Sequence, residues 1–145
     1  MAARSYSVSR SIDAPVTVVW GLLSDASSYA CWNRAVVSIE GDIQQGSTIR
    51  LVSIADPKRT FTLKVAETRP PGHMVWADGM PLGLFKGRRT FSITDRVGGG
   101  CEFSMVEAFT GPLAGLITKA IPDLTESFSA FADGLKAAAE AAART

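Results

Sequence analysis

With 145 residues, 46% hydrophobic and 20% charged, the chain is long enough to bury roughly 70% of its unfolded surface as one domain and too apolar to stay disordered. A formal net charge of +1 removes any general electrostatic pull toward nucleic acid or anionic lipid. No run approaches the ~20 apolar residues of a membrane span, and residues 1–11 lack the apolar core of a secretory signal, so a cytoplasmic protein without stable membrane insertion is expected.

The chain opens on a strand. Tyr6, Val8, Arg10 and Ile12 alternate with Ser5, Ser7, Ser9 and Ser11, which turns one face toward a core. Asp13-Ala14-Pro15 ends it. Asp13 is placed to accept from free backbone donors of the next turn and Pro15 presets φ, which predicts a short helix over 15–24 with Val16, Val19, Trp20 and Leu23 as its buried stripe. A second helical turn is expected at 27–31, before Trp32-Asn33-Arg34 and a strand at 36–40. Cys31 falls in a loop and Cys101 at a strand start. Neither has metal-type spacing, so both are expected as free thiols.

Hairpins follow. Pairing 47–54 with 59–68 around Asp56-Pro57-Lys58 predicts Leu51 opposite Leu63, Ile49 opposite Val65 and Ser53 opposite Phe61, one uniformly apolar face. Pro70-Pro71-Gly72 turns the chain into a strand at 74–78 with Met74 and Trp76 inward. Residues 79–83, with Met80 and Leu82 exposed, read either as a gate over a cavity or as a structural turn. The last hairpin joins 85–95 to 101–110. Its Gly98-Gly99-Gly100 is followed by a strand, so it reads as a turn and not as a phosphate loop.

From residue 112 to 144 the period changes from two to 3.6. Leu113, Leu116, Ile117, Ala120, Leu124, Phe128, Phe131, Leu135, Ala138 and Ala142 form one apolar stripe, with a kink or brief break expected at 120–123 because Pro122 removes a backbone donor. The alanine-rich end should fray. A long helix with one apolar face, arriving after a run of hairpins, most economically lies across the concave side of a curved sheet and leaves a cavity.

The order strand, Ile12-Asp13-Ala14-Pro15, Val18-Val19-Trp20, Leu23, Trp32-Asn33, Gly46, Pro70-Pro71-Gly72 before Val75-Trp76, and Gly111-Pro112-Leu113 resembles the START/polyketide-cyclase superfamily, abbreviated SRPBCC and including the pollen-allergen fold, in particular its bacterial cyclase/dehydrase-like subgroup. The resemblance spans nearly the whole chain. It implies an α+β helix-grip fold: a curved antiparallel sheet of about six or seven strands around a long C-terminal helix, two short helices after the first strand, and a hydrophobic pocket between the layers. Members bind lipids, sterols or polyketides, some are cyclases or aromatases, and some activate chaperone ATPases; fold alone does not choose among these. Oxygenase members hold iron with two histidines and an acid, whereas this chain has only His73, which excludes that chemistry on ligand count. No cofactor or metal is implied, and a monomer or weak homodimer is expected.

Across a loop at 96–100, Phe91 falls opposite Met105, Ile93 opposite Phe103 and Arg89 opposite Glu107. An arginine and a glutamate then stand side by side on an apolar wall, where desolvation favours their pairing. They read as a structural ion pair, as the anchor for a ligand's polar head, or as an acid and base of a cyclase or dehydratase. The rest of the expected lining is Trp32, Leu51, Phe61, Leu63, Trp76, Phe85, Phe91, Phe103, Met105, Phe109, Leu116, Ala120 and Phe128, although large aromatics also serve as plain core. Asp78 lies at the strand rim, within reach of a ligand hydroxyl, and His73 reads as a solvated turn residue. Without a Gly-x-Ser-x-Gly elbow or a histidine base, serine hydrolysis is disfavoured. The composite expectation is a hydrophobic small-molecule binder, with a cyclase/dehydratase enzyme and a chaperone-activator-like interaction module as alternatives.

Overall fold

In the computed structural model, which describes residues 4–144, seven antiparallel strands form one curved sheet in the order β1-β7-β6-β5-β4-β3-β2. The strands are β1 (Arg4–Ile12), β2 (Val36–Glu40), β3 (Thr48–Ser53), β4 (Asp56–Arg69), β5 (His73–Gly79), β6 (Lys86–Asp95) and β7 (Cys101–Thr110). Two short helices, α1 (Val16–Leu23) and α2 (Tyr29–Trp32), carry the chain from the β1 edge to the β2 edge. At the other end of the chain come a single turn, α3 (Ala114–Ile117), and the long helix α4 (Thr125–Ala143). Residues 1–3 and 145, the ends of the expected domain, lie outside the described residues. None of the described helices is long and apolar enough to cross a membrane.

The alternation of β1 buries Val8 and Ile12, and the four-residue spacing of Val19 and Leu23 buries that side of α1. Asp13 does not cap α1, contrary to the expectation. Pro15 takes the N-cap position with extended φ/ψ and without a side-chain cap, which places Asp13 two residues too early. Arg96 from the glycine turn instead donates to the Asp13 carboxylate at 2.7 Å.

The β6–β7 register is the expected one, with Arg89 opposite Glu107, Phe91 opposite Met105 and Ile93 opposite Phe103. The β3–β4 register is offset by two. Ile49 faces Leu63 and Leu51 faces Phe61, because the chain turns at Ile54 and Ala55 and Asp56 already pairs with Ser53. The Ala55 N–H donates to Ser53 Oγ at 3.1 Å, which closes this tighter turn. A two-residue offset preserves the side-chain alternation, so Leu51, Phe61 and Leu63 keep the face expected of them.

The C-terminal stripe is divided, and by more than a kink. Pro122 drives the preceding residue out of the helical region, and Ile121 is extended at φ −87°, ψ 128°. α3 and the 3₁₀ turn Thr118–Ala120 therefore form a separate segment, and α4 starts afresh behind Asp123, whose carboxylate accepts from Thr125 N–H at 2.9 Å.

α4 seats Phe131 deep in the concave face. Its ring is 5.8 Å from Phe91 and 6.4 Å from Phe103 between centroids, and Trp32 and Tyr29 meet it edge-on from α2. The Tyr29 hydroxyl donates to the Leu23 carbonyl, and Trp32 Nε1 donates to Ser28 Oγ at 2.9 Å, so neither aromatic leaves its polar atom unsatisfied. The approach is closest at Gly134, where a Cβ would collide with the Trp32 carbonyl oxygen. Gly134→Ala should destabilise the protein by about 1–3 kcal/mol through overpacking, outweighing the ~1 kcal/mol that alanine gains in helix propensity. Urea denaturation of the variant checks the sign.

Candidate functional site

Inward side chains of β5, β6 and β7 line up in cross-strand rows, and their chemistry changes along the sheet. Met74, Phe91 and Met105 form a fully buried apolar row. The next row is Trp76, Arg89 and Glu107, and the one beyond it Asp78, Gly87 and Phe109. The rings of α4 fill the concavity as far as Phe128, whose ring lies 5.9 Å from Tyr6. Past Phe128 the two polar rows face a cavity of about 90 Å³.

Its floor and walls include Leu51, Phe61, Leu63, Trp76, Phe85 and Phe109, with the Phe85 and Phe109 rings stacked at 5.8 Å. Its roof is the segment isolated by Pro122, through Ile117, Ile121, Pro122 and Leu124. This roof is tied down by two long-range hydrogen bonds, Leu113 N–H to the Leu84 carbonyl at 2.9 Å and Arg4 to the Thr118 carbonyl at 3.0 Å. The loop before Phe85 adjoins it, with Leu82 96% exposed at φ 62°.

Arg89 Nε donates to Glu107 Oε1 at 2.7 Å, with the two side chains 18% and 13% exposed. The Arg89 guanidinium also lies 4.8 Å from the centroid of the Phe128 ring, a cation–π contact that joins the ion pair to α4. Asp78 has no ion-pair partner among the described residues. Burial, and then the nearby Glu107 carboxylate, push its pKa up to about 6, against the opposing pull of Arg59 and Arg89. Gly87 makes room for it, since a Cβ there would strike Asp78 Oδ1. Arg59, exposed at the mouth, is held 4.7 Å from the Phe61 ring centroid, and the Trp76 indole N–H is buried without an acceptor.

Of the lining named from sequence, Leu51, Phe61, Leu63, Trp76, Phe85, Arg89, Glu107 and Phe109 meet around the cavity. Phe91, Phe103 and Met105 do not reach it, because α4 covers their rows, and Trp32 packs against Phe131. Phe128 sits behind Arg89 instead of on the wall. Leu116 is 68% exposed and Ala120 is also exposed, because the break at Pro122 rotates that turn away from the phase of the α4 stripe. Ile117 and Ile121 take the inward positions. Asp78, read from sequence as a rim residue, lines the cavity. Its shared parity with Trp76 and the glycine opposite it were the available signals.

A curved sheet gripped by a C-terminal helix, with an apolar cavity and a largely buried ion pair between them, is a helix-grip fold. Residues 3–140 match the family described as polyketide cyclase/dehydrase and lipid transport, and the chain belongs to that family. No curated protein sequence matches it. Similar solved structures include the Zhui aromatase/cyclase from Streptomyces sp. R1128 (TM-score 0.72, 15% identity, 94% of this chain and 93% of that one). A START superfamily protein from Mycobacterium smegmatis superposes with TM-score 0.69 at 15% identity, over 95% and 98% of the two chains. A protein from Nitrosomonas europaea does so with TM-score 0.72 at 14% identity, over 100% and 99%.

Because the folded state raises the Asp78 pKa above the ordinary 3.8, its contribution to stability is present below pH 4 and is lost as the pH rises through about 6. Asp78→Asn should therefore stabilise the protein at pH 8 by about 1–2 kcal/mol, allowing for screening at a half-buried site, with the gain vanishing near pH 4. Chemical denaturation at the two pH values reads it.

Proposed function

We propose that the protein binds a small amphipathic molecule, its oily body among Leu51, Leu63, Phe85 and Phe109 and its polar end at Arg89, Glu107 and Asp78. The observation that carries this reading is a carbon-lined cavity whose polar groups are gathered in two adjacent cross-strand rows, the distribution that small-molecule sites favour. The unsatisfied Trp76 N–H supports it, since a buried donor without a partner costs about 1–3 kcal/mol and a ligand acceptor would recover that. The family description, which names both cyclases and lipid transport, fits the same reading.

The cavity holds only a few water molecules, so a lipid-sized guest requires the roof over residues 117–124 to lift. The Leu113–Leu84 hydrogen bond is where roof and loop 80–84 would part, which makes that loop a gate. A second reading, a cyclase or dehydratase, is favoured by Asp78, whose pKa of about 6 suits proton transfer near neutral pH. It requires turnover of a poly-keto substrate that Asp78→Asn and Glu107→Gln both abolish.

Binding is tested by thermal denaturation with fatty acids, long-chain alcohols, sterols and aromatic polyketides. A ligand at 100 times its Kd adds about 2.7 kcal/mol of stability, a shift of several degrees. At least one class should give it, and Leu63→Trp, which fills the cavity, should lose it. If no class shifts the protein, or Leu63→Trp responds like the wild type, the container reading fails.

A further inference from the structure

We propose that the cavity selects a cationic amphiphile, a ligand with a protonated amine at the polar end of its oily body, and that Asp78 is the residue that reads the charge. This rests on the container reading above and names the ligand class for the same site.

The cavity lining has three carboxylates, Asp56, Asp78 and Glu107, and only two guanidiniums, Arg59 and Arg89. Glu107 and Arg89 neutralise each other at 2.7 Å, and the same Arg89 is engaged with the Phe128 ring. Arg59 and Asp56 lie on β4, the first of them exposed at the mouth, where water and salt screen its charge. Asp78 is left over as the inner charge with no direct ion-pair partner among the described residues.

The charged groups that act on Asp78 from other strands are Arg89 on β6, Arg59 on β4 and, one strand further on, Glu107 on β7. The roof contributes only Ile117, Ile121, Pro122 and Leu124 to the lining, and so no charge. Gly87 lets the Asp78 carboxyl lie back across β6, over a position where any larger residue would displace it. An entering ammonium group supplies the positive charge that this carboxylate lacks, and Phe61, Trp76, Phe85 and Phe109 surround it with rings that favour a cation over an anion. A carboxylate ligand would instead be a third anion beside Asp78 and Glu107, with Arg89 already committed.

The raised pKa of Asp78 comes first from burial and then from the Glu107 carboxylate, and both favour a proton on Asp78 when no other cation is bound. Amine binding must therefore compete with protonation of Asp78 and strengthen as the pH rises through about 6.

The test uses three probes with one tail: octylamine, octanol and octanoate, titrated calorimetrically into the full-length protein at pH 7.5 and pH 5. At pH 7.5 octylamine, still protonated, should bind about tenfold more tightly than octanol, with octanoate the weakest. At pH 5 the amine advantage over octanol should shrink severalfold, and in Asp78→Asn the amine-to-alcohol ratio should fall to about one at both pH values. Octanoate binding as well as octylamine, an amine preference that survives Asp78→Asn, or one that does not respond to pH in the wild type would each overturn the proposal while leaving the container reading standing. Failure of all three probes to bind would overturn this inference, whereas the container reading falls only if the wider ligand panel fails as well.

Discussion

How far α4 sinks into the concave face decides which part of this molecule is core and which part is hollow. The depth is set at Gly134, where the helix backbone rests on the Trp32 carbonyl with no room for a side chain between them. At that depth Phe131 reaches Phe91 and Phe103, and the lower half of the concavity becomes a close-packed aromatic interior. Phe128, one helical turn earlier, is the last ring to enter. Everything beyond it must be covered by something other than α4.

That cover is the segment Pro122 creates. Had the helix continued unbroken toward its N-terminus, the stripe would have carried Leu116 and Ala120 over the sheet. The proline instead releases a short stretch that lays Ile117, Ile121 and Leu124 over Phe85 and Phe109. A roof made of one helical turn and a 3₁₀ turn has few internal hydrogen bonds, and its long-range polar ties are to Leu84 and Arg4. In the physical sense it belongs to the low-stability end of the fold, which is where binding segments are drawn from.

The polar rows persist in this setting because their charges are mostly settled locally. Arg89 meets Glu107 directly across the β6–β7 pair, and the Phe128 ring takes part of the guanidinium's remaining field. Apolar pairs of similar volume often replace buried ion pairs without loss of stability, so the ion pair is weak evidence for stability. Asp78 is different. It sits opposite a glycine, with no ion-pair partner among the described residues, and burial is the first cause of its raised pKa.

Much of this was legible in the residues themselves. Side-chain alternation assigns the inward face of every central strand, and the length of the last hairpin by itself places Arg89 opposite Glu107. Parity survived even where the register of β3 and β4 was misplaced by two, which is why Leu51, Phe61 and Leu63 still line the cavity. What alternation cannot report is how much of an inward face is covered, because Phe91 and Phe109 look alike in sequence and differ only in what lies above them. Periodicity also treats a helical stripe as continuous, so it could not show that Leu116 turns out to solvent while Ile121 turns in.

The sequence by itself determined the strands, their faces, the ion pair and the break at proline, since each follows from local geometry and near-neighbour pairing. Only the tertiary structure decided where the hollow lies and which carboxylate stands alone in it. Those depend on the depth of one helix against the sheet and on what four strands bring to a single point, and distances of that kind are set by packing between segments far apart in the chain.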